Sequence, residues 1–456
     1  MFLKKYFDSV SKNILTLPHS TIFVIVAAFM LALCLPGKLL SFSDERIVTD
    51  SIRNDTSTQV TQAENWGSID PGQGFLLGRT KMGSISVSAY VLARYINQLP
   101  AKQSFTDHLG VTRQIDPRQD IQLHRILLTF IGNIYLPKFG YNVTVWTVNS
   151  TTQVAVVGTL NYSFHKSFNL FAGIVGNSGT RSLLGSHPYW LAPDRVMADE
   201  FFRPGFTSGI WATGELLPKF YYKAMLGNNL SQLGINAVQL TRHLVPSASI
   251  WWMPTTGEFG PRGGFGDFER HEKLATRFGS CYTHARENRF NDISERSPDN
   301  TQIRNSDGLL LFEKGSLATD VTVIDATYNL WTVDAGIKYK GLFIQSEYYF
   351  RTLQNFNADG PLPLDFTFDH GFYIQAAAFP ISKKLEVYGA TSQIFGQFRN
   401  SHEFLIGSNY YPANTRNLRI NGQLIKVYRS PTGSTFGYYL AGQTGYILSI
   451  AASVLF

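Results

Sequence analysis

Cysteine is nearly missing from this chain: 456 residues contain two, Cys34 and Cys281. Cys34 lies in an N-terminal stretch with the features of an export leader. What remains after cleavage cannot form an intramolecular disulfide, so it must be held by backbone pairing and packing. Cys281 is expected to be a buried strand residue. Charge is scarce as well, at 16% of residues against about 25% in ordinary soluble domains. Disorder is excluded, because 34 Phe, 22 Tyr and 7 Trp supply more buriable surface than a disordered chain carries. Past residue 40 no apolar run approaches the ~18 residues of a spanning helix. That excludes a bundle of membrane helices.

The first 43 residues are expected to be a signal peptide. Lys4, Lys5 and Lys12 form its basic start, Ile22–Leu35 its apolar centre, and Ser41-Phe42-Ser43 a small-x-small cleavage site. The alternatives are an uncleaved anchor, for which the apolar run is short, and a lipid anchor at Cys34, for which Leu33 is too large. Four lysines and one aspartate leave with the leader, so 36 basic residues face 32 acidic ones. This mild excess gives no basic stripe for nucleic acid. Residues 44–78 are expected to be a poorly ordered periplasmic segment and residues 79–456 the folded domain.

In that domain the dominant period is two. Over Leu342–Arg351, Leu342, Ile344, Tyr348 and Phe350 share one parity while Gln345, Glu347 and Arg351 hold the other, the pattern of a two-faced strand. Val333, Ala335, Ile337 and Tyr339 alternate with Thr332, Asp334 and Lys338 just before it, and Lys340-Gly341 offers a tight turn between the two. Segments of this kind recur from Gly83 to the C-terminus. They amount to about sixteen strands of roughly ten residues, the length a tilted strand needs to cross the hydrocarbon layer. Some gaps are turn-sized, such as Ser382-Lys383, whereas Asn177–Gly209, Pro254–Arg270, Glu287–Asp320 and Gln354–Asp369 are long. Short connections on one side and long ones on the other predict an all-β, antiparallel transmembrane barrel.

A soluble β-sandwich is the competing reading. Against it stand the aromatics at strand ends, Tyr348-Tyr349-Phe350, Tyr410-Tyr411, Tyr221-Tyr222 and Trp251-Trp252, placed as an interfacial girdle would be. The last segment places Tyr446, Leu448, Ile450, Ala452, Val454 and Phe456 on one parity. Lipid cannot satisfy an open strand edge, so this strand must be paired and the sheet closed.

Three blocks, DAGIKYKGLFIQSEYYFR (Asp334–Arg351), GFYIQAAAFPISKKLEVYGA (Gly371–Ala390) and HEFLIGSNYY (His402–Tyr411), resemble in order and spacing the C-terminal half of the phosphate-selective porin O/P family. The resemblance implies a sixteen-stranded homotrimer that conducts small anions across the outer membrane of a Gram-negative-type envelope. It also implies a lysine cluster on an inward loop, and the candidate loop here, Asn177–Gly209, has no lysine.

That loop is too apolar for a solvated tether, and Arg181, Arg195 and Arg203 on it are the candidate anion-binding or constriction residues. A guanidinium fork can donate two hydrogen bonds to two oxygens of a passing anion. The alternative is that they pair with Asp194, Asp199 and Glu200 and hold the loop's shape. Lys338, Arg351, Lys384 and Arg419 are the expected lumen-wall cations, interspersed with Asp334, Glu347 and Glu386. Met253–Arg277 misses the GxGxxG spacing, and its Glu269, His271 and Glu272 form no HExxH; it is expected to be a surface or trimer-contact loop.

No triad or paired-carboxylate site is specified, so no catalytic residue, metal or cofactor is assigned. The expected partners are small anions, outer-membrane lipid and, through the terminal Phe456, the barrel-assembly machinery. A structural or receptor barrel and an outer-membrane hydrolase are the other functional readings.

Overall fold

The computed structural model describes residues 74–148, 153–230, 243–288, 303–433 and 437–456; the expected signal peptide lies outside them. Alternation has the predicted consequence. The strands are β1 (Phe75–Thr80), β2 (Gly83–Leu99), β3 (Gln103–Thr106), β4 (Thr112–Ile115), β5 (Gln119–Ile134), β6 (Phe139–Val148), β7 (Gln153–His165), β8 (Phe168–Gly176), β9 (Phe206–Leu217) and β10 (Phe220–Gly227). They continue with β11 (Val245–Trp252), β12 (Ala275–Asn288), β13 (Val323–Tyr339), β14 (Leu342–Ala358), β15 (Phe366–Ile381), β16 (Leu385–Phe395), β17 (Ser401–Tyr410), β18 (Leu418–Tyr428) and β19 (Gly445–Leu455). Apart from the β3–β4 hairpin, each pairs antiparallel with its neighbours.

Closure comes from β19, which pairs with β18 on one side and with β2 on the other. Sixteen strands, β2 and β5–β19, complete the ring, as expected. β1 runs beside the first residues of β2, with Phe75 opposite Val87, where β19 has ended with Leu455 opposite Tyr90. The two termini of the sheet thus share one partner strand. Phe456 exchanges backbone bonds with Ala89, at 2.8 and 3.0 Å, so the terminal residue is paired. The sheet begins at Phe75, slightly before residue 79.

Burial is inverted relative to a soluble protein. On β17, Phe404 and Ile406 are 54% and 68% exposed while Glu403 and Leu405, on the opposite parity, are 0% and 5%. Leaving such residues against water on every strand would far exceed the few hundred Å² of apolar patch a soluble surface tolerates. Against lipid the arrangement is the stable one, because pairing around the closed ring supplies partners for the backbone N–H and C=O groups of its strands. Exposed aromatics gather near both rims: Tyr135, Phe164, Trp252, Phe278, Tyr339, Tyr410 and Phe456 at the short-turn end, and Phe366, Phe368, Phe395, Tyr428 and Tyr446 at the long-loop end. These are interfacial girdles. The aromatic pairs of the sequence divide between the faces: Tyr410 and Trp252 point out, whereas Tyr411 and Trp251 are buried inside. Consecutive strand residues cannot share a face.

The Lys340-Gly341 turn takes positive φ at both residues, 49° and 89°, the type I′ signature that suits the twist of a hairpin. β13 and β14 are joined by it in the predicted register, with Asp334 opposite Glu347.

Candidate functional site

The inner wall is lined by polar side chains, and several chain segments pack against it, among them two that meet inside the ring. From the long-loop rim, residues 177–205 descend between β8 and β9. Buried backbone groups must find partners, and here wall side chains from many strands supply them. Glu347 on β14 accepts from the Arg181 N–H at 2.8 Å, and Glu403 on β17 from the Met197 N–H at 2.7 Å. Asn409 donates to the Leu191 carbonyl at 2.9 Å, Arg419 to Trp190 at 2.6 Å and Tyr328 to Phe202 at 2.8 Å. A short helix, α1 (Met197–Phe202), lies in this segment, and Phe202 stacks on Tyr349 at 4.9 Å.

The second segment, residues 253–274, rises from the short-turn rim. It is not the surface loop expected from its sequence: Phe259, Phe265 and Asp267 are buried. Lys338 on β13 donates to the Phe259 and Gly264 carbonyls at 2.7 and 2.6 Å. The two segments meet inside the ring. The Phe265 N–H donates to the Tyr189 carbonyl at 2.7 Å, Arg262 donates to the Gly185 and His187 carbonyls, and Arg181 donates to the Gly263 carbonyl. His271 is hydrogen-bonded to Asp267 and sits 2.9 Å from Glu258. Burial alone would lower its imidazole, but hydrogen bonds to the two carboxylates outweigh this and hold it up at about 9, while the same contacts hold Asp267 and Glu258 below the usual carboxylate range against their own desolvation.

These contacts redistribute the expected site residues. Arg181 is fully buried and braces the junction of the two segments. Arg203 forks onto Glu200, at 2.9 and 2.8 Å, which is the shape-holding role. Lys338, Arg351 and Arg419 do face inward, but each is engaged with backbone of the filling: Arg351 bonds Asp369 at 2.7 Å and the Phe201 carbonyl at 3.3 Å. Lys384 is not on the wall; it lies in the exposed turn between β15 and β16, because β16 starts only at Leu385. Of the loop trio, Arg195 lines a cavity.

That cavity, about 90 Å³, lies between the descending segment and the wall of β5, β6 and β9, with Arg125, His187 and Arg195 beside Leu127, Trp146, Trp190 and Phe206. Arg125 reaches it through an irregularity. The β2–β5 register slips between Leu92 and Ala93, so His124 and Arg125 are both buried, although strict alternation would turn one outward. This bulge hid Arg125 from a period-two reading. Asp194 sits between Arg94 at 2.5 Å and Arg125 at 2.9 Å, with His124 at 3.8 Å. Two guanidiniums thus share one carboxylate. Arg195 bonds Ser182 at 2.8 Å and lies 4.3 Å over the Trp190 ring. Among the described residues no cluster of three or more His, Cys, Asp or Glu could hold a metal ion.

Closed ring, lipid-facing apolar exterior and polar, narrowed interior define a sixteen-stranded transmembrane β-barrel. Solved structures with this fold include the outer-membrane OmpT of Vibrio cholerae, 12% identical with a TM-score of 0.51 over 84% of this chain and 100% of that one. OmpF of Salmonella typhi, solved with daunomycin, is 9% identical with a TM-score of 0.49, covering 83% and 99%. An anion-selective porin from Comamonas acidovorans is 10% identical at 0.45, covering 82% and 99%. At 12% identity the likeness to OmpT is one of fold. No family model and no curated protein matches the chain.

Proposed function

We propose that this chain is an outer-membrane porin that passes small anions by diffusion along the part of the lumen left beside the descending segment. The observation that carries the reading is the charge balance at the cavity: Arg125 and Arg195 line it with no carboxylate beside them, and the two carboxylates behind, Asp194 and Asp199, are set against three guanidiniums, Asp194 being shared by Arg94 and Arg125 and Asp199 lying 3.7 Å from Arg195. A lumen lined by excess fixed positive charge favours anions over cations. Inorganic phosphate is among the anions that match this charge. The resemblance in the three C-terminal blocks supports the porin assignment and, with it, export by the N-terminal leader, assembly through Phe456 and a homotrimeric state.

The test is reconstitution in a planar bilayer with the reversal potential measured across a KCl gradient. Stepwise conductance with a chloride-favouring potential is expected; a cation-favouring potential refutes the anion reading. A second reading, a barrel without general pore activity, draws support from the two segments that fill the lumen beside β10–β19. Absence of single-channel steps in correctly folded protein would favour it.

A further inference from the structure

The cavity has two chemically different halves, and they narrow the class of anion. On the cationic side, the Arg125 Nη2 is engaged with Asp194 and Nη1 lies 3.5 Å from His187 Nε2, but its buried Nε has no hydrogen-bond partner. Arg195 presents a second guanidinium, fixed at Nε by Ser182. No carboxylate lines the cavity; Asp194 and Asp199 lie behind the arginines, the latter 3.7 Å from Arg195. Facing these groups are Leu127, Trp146, Leu183 and Phe206, with the Trp146 and Phe206 rings 6.4 Å apart.

We infer that this cavity is a binding subsite for a small organic anion that carries a ring or similar flat apolar body beside its carboxylate. The inference rests on the porin reading for transit, though binding itself can be measured without it. An inorganic phosphate presents oxygens in every direction, so seating it on the arginines turns some of them toward the side chains of Leu127, Leu183 and Phe206, which carry no donor to replace the lost water. A carboxylate has its oxygens at one end only. Its apolar body then covers the aromatic wall and gains hydrophobic burial, the usual division of labour in a ligand pocket. The dimensions agree. The space is about 90 Å³, and Trp146 and Phe206 are only half-buried, so part of a ring can remain outside.

The experiment is isothermal titration of the detergent-solubilised full-length protein at pH 7 with benzoate, acetate and inorganic phosphate. Benzoate is expected to bind at least about tenfold more tightly than either of the others. Trp146→Ala should bring benzoate down to the acetate level, with Phe206→Ala as the second variant if the first does not fold, and Arg195→Gln should weaken both carboxylates. Equal affinities, no benzoate binding, or a benzoate preference untouched by the aromatic variants would overturn the inference. Bilayer recordings separate the two readings. Anion-selective current without benzoate preference removes the subsite and leaves the porin; benzoate-selective binding without current removes the porin and leaves the subsite.

Discussion

Lys338 offers a direct test of whether the rising segment limits passage. Its ammonium is fully buried near the short-turn rim, over the Phe259 and Phe343 rings, and donates to two carbonyls of residues 253–274. Lys338→Met keeps the apolar stem and removes both donors. Two buried carbonyls left unsatisfied cost about 1–3 kcal/mol each, or roughly 2–6 kcal/mol together. The lower end applies, since the variant also removes the cost of burying an ammonium. About 2 kcal/mol is a shift of roughly 30-fold in the population with the segment displaced. The readouts are single-channel conductance, expected to rise with more frequent open-state flicker, and hydrogen exchange of residues 256–268, expected to accelerate while the strands stay protected. If exchange accelerates but conductance is unchanged, the segment does not limit the path. If neither changes, the two hydrogen bonds do not hold it.

Replacing Arg195 by Glu should move the reversal potential toward cations, whereas Arg203→Gln, whose fork is satisfied by Glu200 within its own segment, should leave selectivity unchanged; equal effects would discredit the cavity as the path. His271 predicts a pH dependence. Its folded-state pKa of about 9 lies above its ordinary value, so its stabilisation of the rising segment is complete below about 6.5 and is lost as pH rises through 9. Asp267 and Glu258 are shifted downward, so their share is present above the ordinary carboxylate range and is lost as pH falls through their folded values. Conductance of the wild type should therefore rise above pH 9, and His271→Gln should abolish that rise; a flat wild-type profile would show that the histidine does not hold the segment. Deleting Phe456 removes two backbone bonds to Ala89, about 1 kcal/mol each, and should lower the yield of heat-modifiable folded barrel; an unchanged yield would show that closure does not need the last residue.

The barrel itself was legible in the chain because each strand carries its own instruction. A period of two with apolar residues on one parity has a single stable solution against lipid, and the terminal run to Phe456 demands closure. The same rule placed Lys338, Arg351 and Arg419 inward, since β13, β14 and β18 are regular at those positions. It failed where regularity failed: at the His124 bulge, which hid Arg125, and at the end of β15, where the turn claimed Lys384. The filling of the lumen was beyond any local pattern. Residues 177–205 and 253–274 lie inside because Glu347, Glu403, Asn409, Arg419 and Lys338, on strands far apart in sequence, together satisfy their backbone. Periodicity reports which way a side chain faces; only the assembled ring brings those side chains to a common interior and decides what they hold.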